Sequence, residues 1–375
     1  MLSRVIGQEI AKKQILNAYR HERLAHAYLI AGDEGLGAEE LAVEMARFLL
    51  CAKPDRERFE PCRQCANCRK VSEFQHADVH YYFPTLKSTD EETMRDMLQA
   101  KANELYTRVY IGGGSIHIGD PDNPEKNSIR GLARETSLRS FEGNKKIFIL
   151  TYVNEMNDEA ANAFLKILEE PPPTTFFFLT ATRLHTLLPT IMSRCQVVKL
   201  SPVKETDIQN ALITEKNIAT GEAQLIAKLA NGNYGKALEL IGGDLNRRRK
   251  TMLDFLVASV SPQSTAIVQA VDAIIADTEK DKAAITDILL IMLAWFQDIF
   301  YISHLQDHPE TLKNSLINHD LTERLEKFVR NFPRTNAETA VFEIEKAVDL
   351  ISRNVYLNLV LVNLGLNLRH LAIKK

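Results

Sequence analysis

An excess of charge of either sign is missing from this sequence, since 46 basic and 49 acidic residues leave a formal net charge of -3. That excludes a surface given over to nucleic acid, and any such contact must be local. Long apolar runs are missing too. The longest, Ile288 to Phe296, has nine residues between Asp287 and Gln297-Asp298, against the roughly 20 that a bilayer crossing needs, and predicts a core helix. The first residues, Met1 to Gln8, show no basic start leading into an apolar stretch. No secretory signal and no membrane partner are therefore expected, and the expected compartment is the cytoplasm. No internal repeat or low-complexity tract occurs. Cysteine is scarce, five in 375 residues, yet Cys51, Cys62, Cys65 and Cys68 fall within eighteen residues and only Cys195 stands apart. In a reducing compartment such clustering favours a metal site over disulfides.

What is present is enough for two or three domains, because 45% of the residues are hydrophobic. Residues 1 to about 200 alternate strand-like and helix-like segments, the pattern of an α/β domain with a largely parallel sheet. Five short apolar runs read as buried strands: Ala27 to Ala31, Asp78 to Phe83, Lys146 to Thr151, Thr175 to Thr180 and Gln196 to Leu200. Helices are expected at Glu9 to Tyr19, Ala38 to Leu50, Ile129 to Ser140 and Asp158 to Glu169. The last has apolar residues at helical spacing, Asn157 or Asp158 as N-cap, and Pro171-Pro172-Pro173 to stop it. Residues 85 to 127 break the alternation with a charged helical stretch, Asp90 to Ala102, a Gly112-Gly113-Gly114 turn and a polar loop, and read as an insertion of unassigned role. Beyond Leu200 the pattern is helical. A linker at Ser201-Pro202-Val203 leads into a small helical unit ending near Gly242-Gly243, and a longer helical region follows from about Asn246.

Three segments carry chemistry. Ala27 to Ala31 runs into Gly32-Asp33-Glu34-Gly35-Leu36-Gly37-Ala38-Glu39 and then a helix, the setting in which backbone amides cradle phosphates. A working loop ends in Lys and Ser or Thr; here Ala38 and Glu39 stand in those places, and Asp33, Glu34, Glu39 and Glu40 add negative charge. A plain strand-to-helix turn is the alternative. The cysteine quartet offers four thiolates, three at tight spacing, which suits a closed, structural Zn2+ site, with an iron–sulfur cluster or unliganded thiols as alternatives. Arg194, in Ser193-Arg194-Cys195 before the last strand, reads in isolation as a solvated charge.

These residues resemble a family. His26-Ala27-Tyr28-Leu29 before the glycine loop, Asn162 to Pro172, Ser193-Arg194-Cys195 and the cysteine quartet, in that order, look like the bacterial clamp-loader AAA+ proteins. The resemblance covers about residues 1 to 200. It implies a degenerate AAA+ nucleotide-binding-like domain over 1–200, with a five-stranded parallel sheet and a zinc module near 51–68. A small helical lid domain over 201–245 and an all-α collar domain for oligomerisation over 246–375 are also implied. In the family's motor subunits an Asp-Glu pair ends the third strand; counting back from the Leu168-Glu169-Glu170-Pro171 segment, it falls on Thr151 and Tyr152. The second-domain sensor arginine falls on Gly235, beside Lys236. With Ala38 and Glu39, four ATP-handling positions are lost together, and the match is closest to the family's delta-prime kind, with no ATP of its own. Arg194 is retained, and the resemblance implies an arginine finger that reaches a neighbouring motor subunit's ATP site. Implied partners are the motor subunits and a clamp-opening subunit in a hetero-pentamer, the sliding clamp, and primer-template DNA through the assembly. An ATP-hydrolysing motor subunit and a zinc-dependent DNA-binding adaptor are the alternatives. The basic cluster Arg247-Arg248-Arg249-Lys250 reads as a solvated face before a nucleic-acid contact, having no interleaved aromatics.

Overall fold

A computed structural model describes residues 1–373 apart from 87, 107–112, 143–144, 243–244, 305–311, 313–314 and 334. The chain forms two compact units, one made of 1–208 with 232–238, the other of 209–231 with 239–375.

In the first unit the elements run α1 (Glu9–Arg20), β1 (Ala27–Ala31), α2 (Ala38–Leu50), α3 (Ala66–Ser72), β2 (Val79–Tyr82), α4 (Glu91–Asn103), α5 (Ile129–Ser137), β3 (Lys146–Leu150), α6 (Asp158–Glu169), β4 (Thr175–Ala181), α7 (Pro189–Met192) and β5 (Gln196–Lys199). The strands form one parallel sheet in the order β2-β3-β4-β1-β5. Successive strand residues point to opposite faces, and both faces are apolar. Tyr28, Ile30, Ile147, Ile149, Phe178 and Val198 pack with α1 and α2 on one side. Leu29, Phe148, Leu150, Phe177 and Leu179 pack with α5, α6 and α7 on the other. Sheets covered on both sides read as continuous hydrophobic runs, which is why β1 and β3 are buried along their whole length. Apart from the end of α5, the expected strands and helices lie within one residue of where the sequence puts them, and Asn157 caps α6 by accepting from the Ala160 amide at 2.8 Å.

The expected strand from Asp78 begins one residue later. Asp78 is fully buried, and its carboxylate accepts from the Phe141 and Glu142 amides, the latter at 2.7 Å. The helix expected to reach Ser140 stops at Ser137, because the loop beyond it is held to Asp78 instead.

Among the described residues, the helices after the sheet are α8 (Glu205–Lys216), α9 (Thr220–Ala230), α10 (Tyr234–Gly242), α11 (Leu245–Val260), α12 (Ser264–Asp277), α13 (Lys282–His304), α14 (Thr322–Asn331), α15 (Ala337–Ser352) and α16 (Leu357–Ile373). Within the second unit α13 packs against α14 and α15, and α16 against α11, α12 and α15. Helix α13 is long and apolar enough by composition to cross a membrane, but Ile288, Met292, Trp295, Phe296 and Ile299 are buried in the helical core. Its Asp298 is buried too, accepting from the Ile317 and Asn318 amides at 2.8 Å each. A carboxylate so used is a fixture of a protein interior.

Candidate functional site

The crevice outside the carboxyl ends of parallel strands is where open α/β sheets bind ligands, and the glycine loop lies there. Gly37 caps α2 at φ 94° and Gly35 has φ 82°, both left-handed values that a side chain disfavours. The loop therefore keeps the backbone form of a phosphate cradle.

Its contents differ. Glu39, where a magnesium-holding hydroxyl is expected, is buried and paired with the Lys101 ammonium at 3.0 Å, and it accepts a hydrogen bond from the Tyr81 hydroxyl. Burial and the Glu39 charge push the Tyr81 hydroxyl well above its usual range. Glu40 is buried beside them, and desolvation raises its carboxyl to about 8, against the opposing pull of Lys101. It is therefore protonated at neutral pH, and the expected four-carboxylate repulsion is corrected: one group is neutral and a second is paired. Tyr152, two residues past the end of β3, has φ 52° and donates its hydroxyl to Glu34 Oε1 at 3.1 Å, while the neighbouring Thr151 is fully buried. Neither is an anionic metal ligand. Gly235 explains its own lack of a side chain: its amide donates to Gly35 O at 3.0 Å, and a Cβ there would lie 2.7 Å from Gly35 Cα. Asn233 ties the same contact by donating to Glu34 O at 2.6 Å. The free space left in this pocket is about 30 Å³, room for a water or two.

Lys101, Tyr81 and Asn233 were not legible as site residues. Lys101 lies on α4, the only side chain of that helix that is fully buried, and it follows the half-buried Met94, Met97 and Leu98 at helical spacing, where an apolar residue rather than a lysine is the ordinary expectation.

The four cysteines come together. Cys51 follows the end of α2, Cys65 caps α3, and the four Sγ atoms lie within 4.8 Å of one another. The Cys62 and Cys68 sulfurs are 4.0 Å apart, close to the roughly 3.8 Å between sulfurs in a tetrahedron with metal–sulfur bonds of about 2.3 Å. The amides of Cys62, Cys65 and Cys68 donate to the sulfurs of Cys51, Cys62 and Cys65 at 3.2, 3.4 and 3.5 Å. Such donors favour thiolate. The Gln64 and Cys65 amides lower the Cys62 thiol to about 6, whereas burial raises that of Cys68. A bound cation deprotonates a coordinating thiol outright, so the cluster fits a metal ion. Behind it, buried Glu44 of α2 accepts from Arg47, which also donates to Ser72 Oγ at 2.6 Å, and from Arg63 at 2.6 Å. This network fastens the knuckle to the loop's own helix.

Arg194 sits in the turn between α7 and β5, with about a third of its side chain exposed. It is folded back: Nη1 donates to Thr190 O at 2.9 Å and Nη2 to Glu169 at the end of α6. Ser193 Oγ donates to Thr190 O at 3.0 Å, and burial raises the Cys195 thiol to about 12, leaving it an inert packing group. In the helical unit, Arg247 pairs with Asp277 at 3.0 Å, Arg248 with Asp287, and Arg249 with Asp320 at 2.7 Å. These three arginines are engaged in internal pairs.

The fold and site together define an α/β domain with a glycine loop after its first strand, in which Ala38 and Glu39 stand at the loop's end, and with a four-cysteine knuckle beside it. The family described as DNA polymerase III, delta subunit, matches residues 7–204, more than half of the chain, and the chain belongs to that family of clamp-loader proteins. It is 30% identical over 232 residues to DNA polymerase III subunit delta' of Bacillus subtilis, covering 62% of this chain and 58% of the relative. Against subunit delta' of Escherichia coli it is 27% identical over 248 residues, covering 66% and 64%. Subunit tau of Bacillus subtilis is 26% identical over 242 residues, 63% of this chain and 36% of tau. The chain thus spans less than two thirds of the length of these relatives. Among solved structures, a gamma-subunit-related protein of Thermotoga maritima superposes over 96% of this chain and 99% of its own, at TM-score 0.43 and 16% identity. The expected architecture, an α/β domain with a five-stranded parallel sheet followed by a helical region, is the one observed.

Proposed function

We propose that this chain is a non-hydrolysing, delta-prime-type subunit of a cytoplasmic clamp loader, helping to place a sliding clamp on primed DNA within a hetero-pentamer of motor and clamp-opening subunits. One observation carries the reading. The loop of phosphate-cradle shape has a buried Glu39–Lys101 ion pair where magnesium would be held, and Gly35 and Gly235 meet where a sensor arginine would need room. Residues Gly32, Gly35, Gly37, Ala38 and Glu39 are then a relic, and Arg194 is the residue with a catalytic part to play, in trans. To reach a neighbouring ATP site the guanidinium must leave Glu169, an exchange of one anion for another. The metal is Zn2+, held by Cys51, Cys62, Cys65 and Cys68 in a closed structural site. Residues 201–245 serve as lid and 246–375 as collar.

The tau relative keeps an ATP-hydrolysing motor in view, but a motor needs magnesium ligands that Thr151, Tyr152 and Glu39 do not supply. A DNA-binding adaptor needs available cations, and the arginines of the basic cluster are paired. The purified chain is expected to turn over no ATP, and Arg194→Ala to lower the ATPase of the assembled loader. Turnover by the isolated chain would refute the non-hydrolysing reading, and unchanged activity of the assembly would refute the finger.

A further inference from the structure

The insertion between β2 and α5 is the feature that the proposed function leaves unused. Its helix α4 is capped by Asp90, whose side chain accepts from the Thr93 amide at 2.8 Å, and its side chains are largely exposed. Lys101, one turn from its end, is the exception, at 2% exposure. Burying an ammonium is costly unless a partner meets it, and the partner here is Glu39 at the head of α2. Three residues past the helix, the Tyr106 hydroxyl stands 3.0 Å from where a Cβ on Gly37 would lie, and the Tyr106 ring packs edge-on against Tyr234 at 4.9 Å. Gly37 is the residue whose lack of a side chain lets phosphate oxygens approach a loop of this kind. Here that approach is taken by a phenol. The buried Glu40 carboxyl, unpaired at Oε1, lines the same pocket.

We propose that the segment from α4 to Tyr106 is a resident plug. Lys101 and Tyr106 occupy the phosphate-loop pocket and exclude a nucleoside triphosphate whatever residues the loop itself carries. The inference rests on reading the chain as a non-hydrolysing subunit, and adds that the site is closed sterically as well as chemically. About 30 Å³ of free space is an order of magnitude below the roughly 300 Å³ at which small-molecule pockets begin. The plug also gives the insertion a reason to be structured: its buried Lys101 is held by the site it closes.

The test is a titration of four forms of the full chain with a fluorescent ATP analogue and magnesium. They are the wild type, a loop-restored form (Ala38→Lys with Glu39→Thr), a plug-trimmed form (Lys101→Ala with Tyr106→Ala), and the fourfold combination. The fourfold form is expected to bind at least tenfold more tightly than the loop-restored form. Equal binding by those two overturns the plug and leaves the non-hydrolysing reading intact, since that reading is tested by turnover of the wild type. If the fourfold form does not fold, hydrogen exchange on the wild type decides. Exchange at the amides of residues 33–38 is expected to be unchanged by added inorganic pyrophosphate, and protection there overturns the plug.

Discussion

Replacing Lys101 by Met keeps the length of the side chain and removes its charge, leaving Glu39 buried without its cation. Both side chains are almost inaccessible, 2% exposed for Lys101 and 10% for Glu39, so solvent screens little of the loss. Breaking such a pair from one side costs about 3–5 kcal/mol, whereas replacing both partners is close to neutral. Lys101→Met and Glu39→Gln are each expected to destabilise the first unit by about that much, and the double variant by clearly less than either, a coupling of at least ~2 kcal/mol. The assay is urea unfolding followed by far-ultraviolet circular dichroism. Trp295, the sole tryptophan, lies in the second unit, so its fluorescence separates the two units' transitions, and its midpoint should not move. Additive single effects, or a cost for Lys101→Met below about 1 kcal/mol, would refute the assignment of a buried, mutually dependent pair.

Glu40→Gln should flatten the stability profile above pH 5. A carboxyl raised in the folded state to about 8 holds its proton there after the unfolded chain has released it near 4.5, so wild-type stability is full below about 4.5 and falls until about 8. The variant is expected to gain on the order of a few kcal/mol relative to wild type between pH 5 and pH 9, and a parallel pH slope in urea melts would count against it. Metal analysis of the purified protein should find one zinc per chain, and Cys68→Ser should release it and lower the unfolding midpoint of the first unit; full stability in a strong chelator would contradict the site. Gly235→Ala, forced against Gly35 at 2.7 Å, should cost roughly 1–3 kcal/mol, read in the same melts. In the assembled loader, Arg194→Ala should reduce ATP turnover at least tenfold, and Glu169→Gln, which frees the guanidinium without touching it, should not.

The sheet was legible because its strands are short, apolar and covered on both faces, so β1, β3 and β4 could not be mistaken for amphipathic segments. The cysteine knuckle was legible for a different reason: ligand spacing is a local property, and Cys62, Cys65 and Cys68 carry it within seven residues. What the loop had lost could be read from Ala38 and Glu39. What had replaced it could not, because Lys101 and Tyr106 are some sixty residues distant, and neither a lysine on α4 nor a tyrosine in the loop after it shows in one dimension what it will meet. Nor could sequence foresee that Glu40 would be neutral, since protonation follows from burial. The arginines of α11 show the same limit: a run of like charge is visible in one dimension, while Asp277, Asp287 and Asp320, which answer it, are gathered only by folding.

The Glu39–Lys101 pair also bears on how such a chain could change over generations. A lineage that restored a hydroxyl at position 39 by one substitution would strand an ammonium in the protein interior, and one that removed the lysine first would strand a carboxylate. Each single step toward an ancestral nucleotide site passes through a poorly folding intermediate, although the loop backbone would accept the end state. On the proposed non-hydrolysing reading, the loss of hydrolysis is held in place by the stability of the chain's own fold, and would persist even where selection for the loss had lapsed.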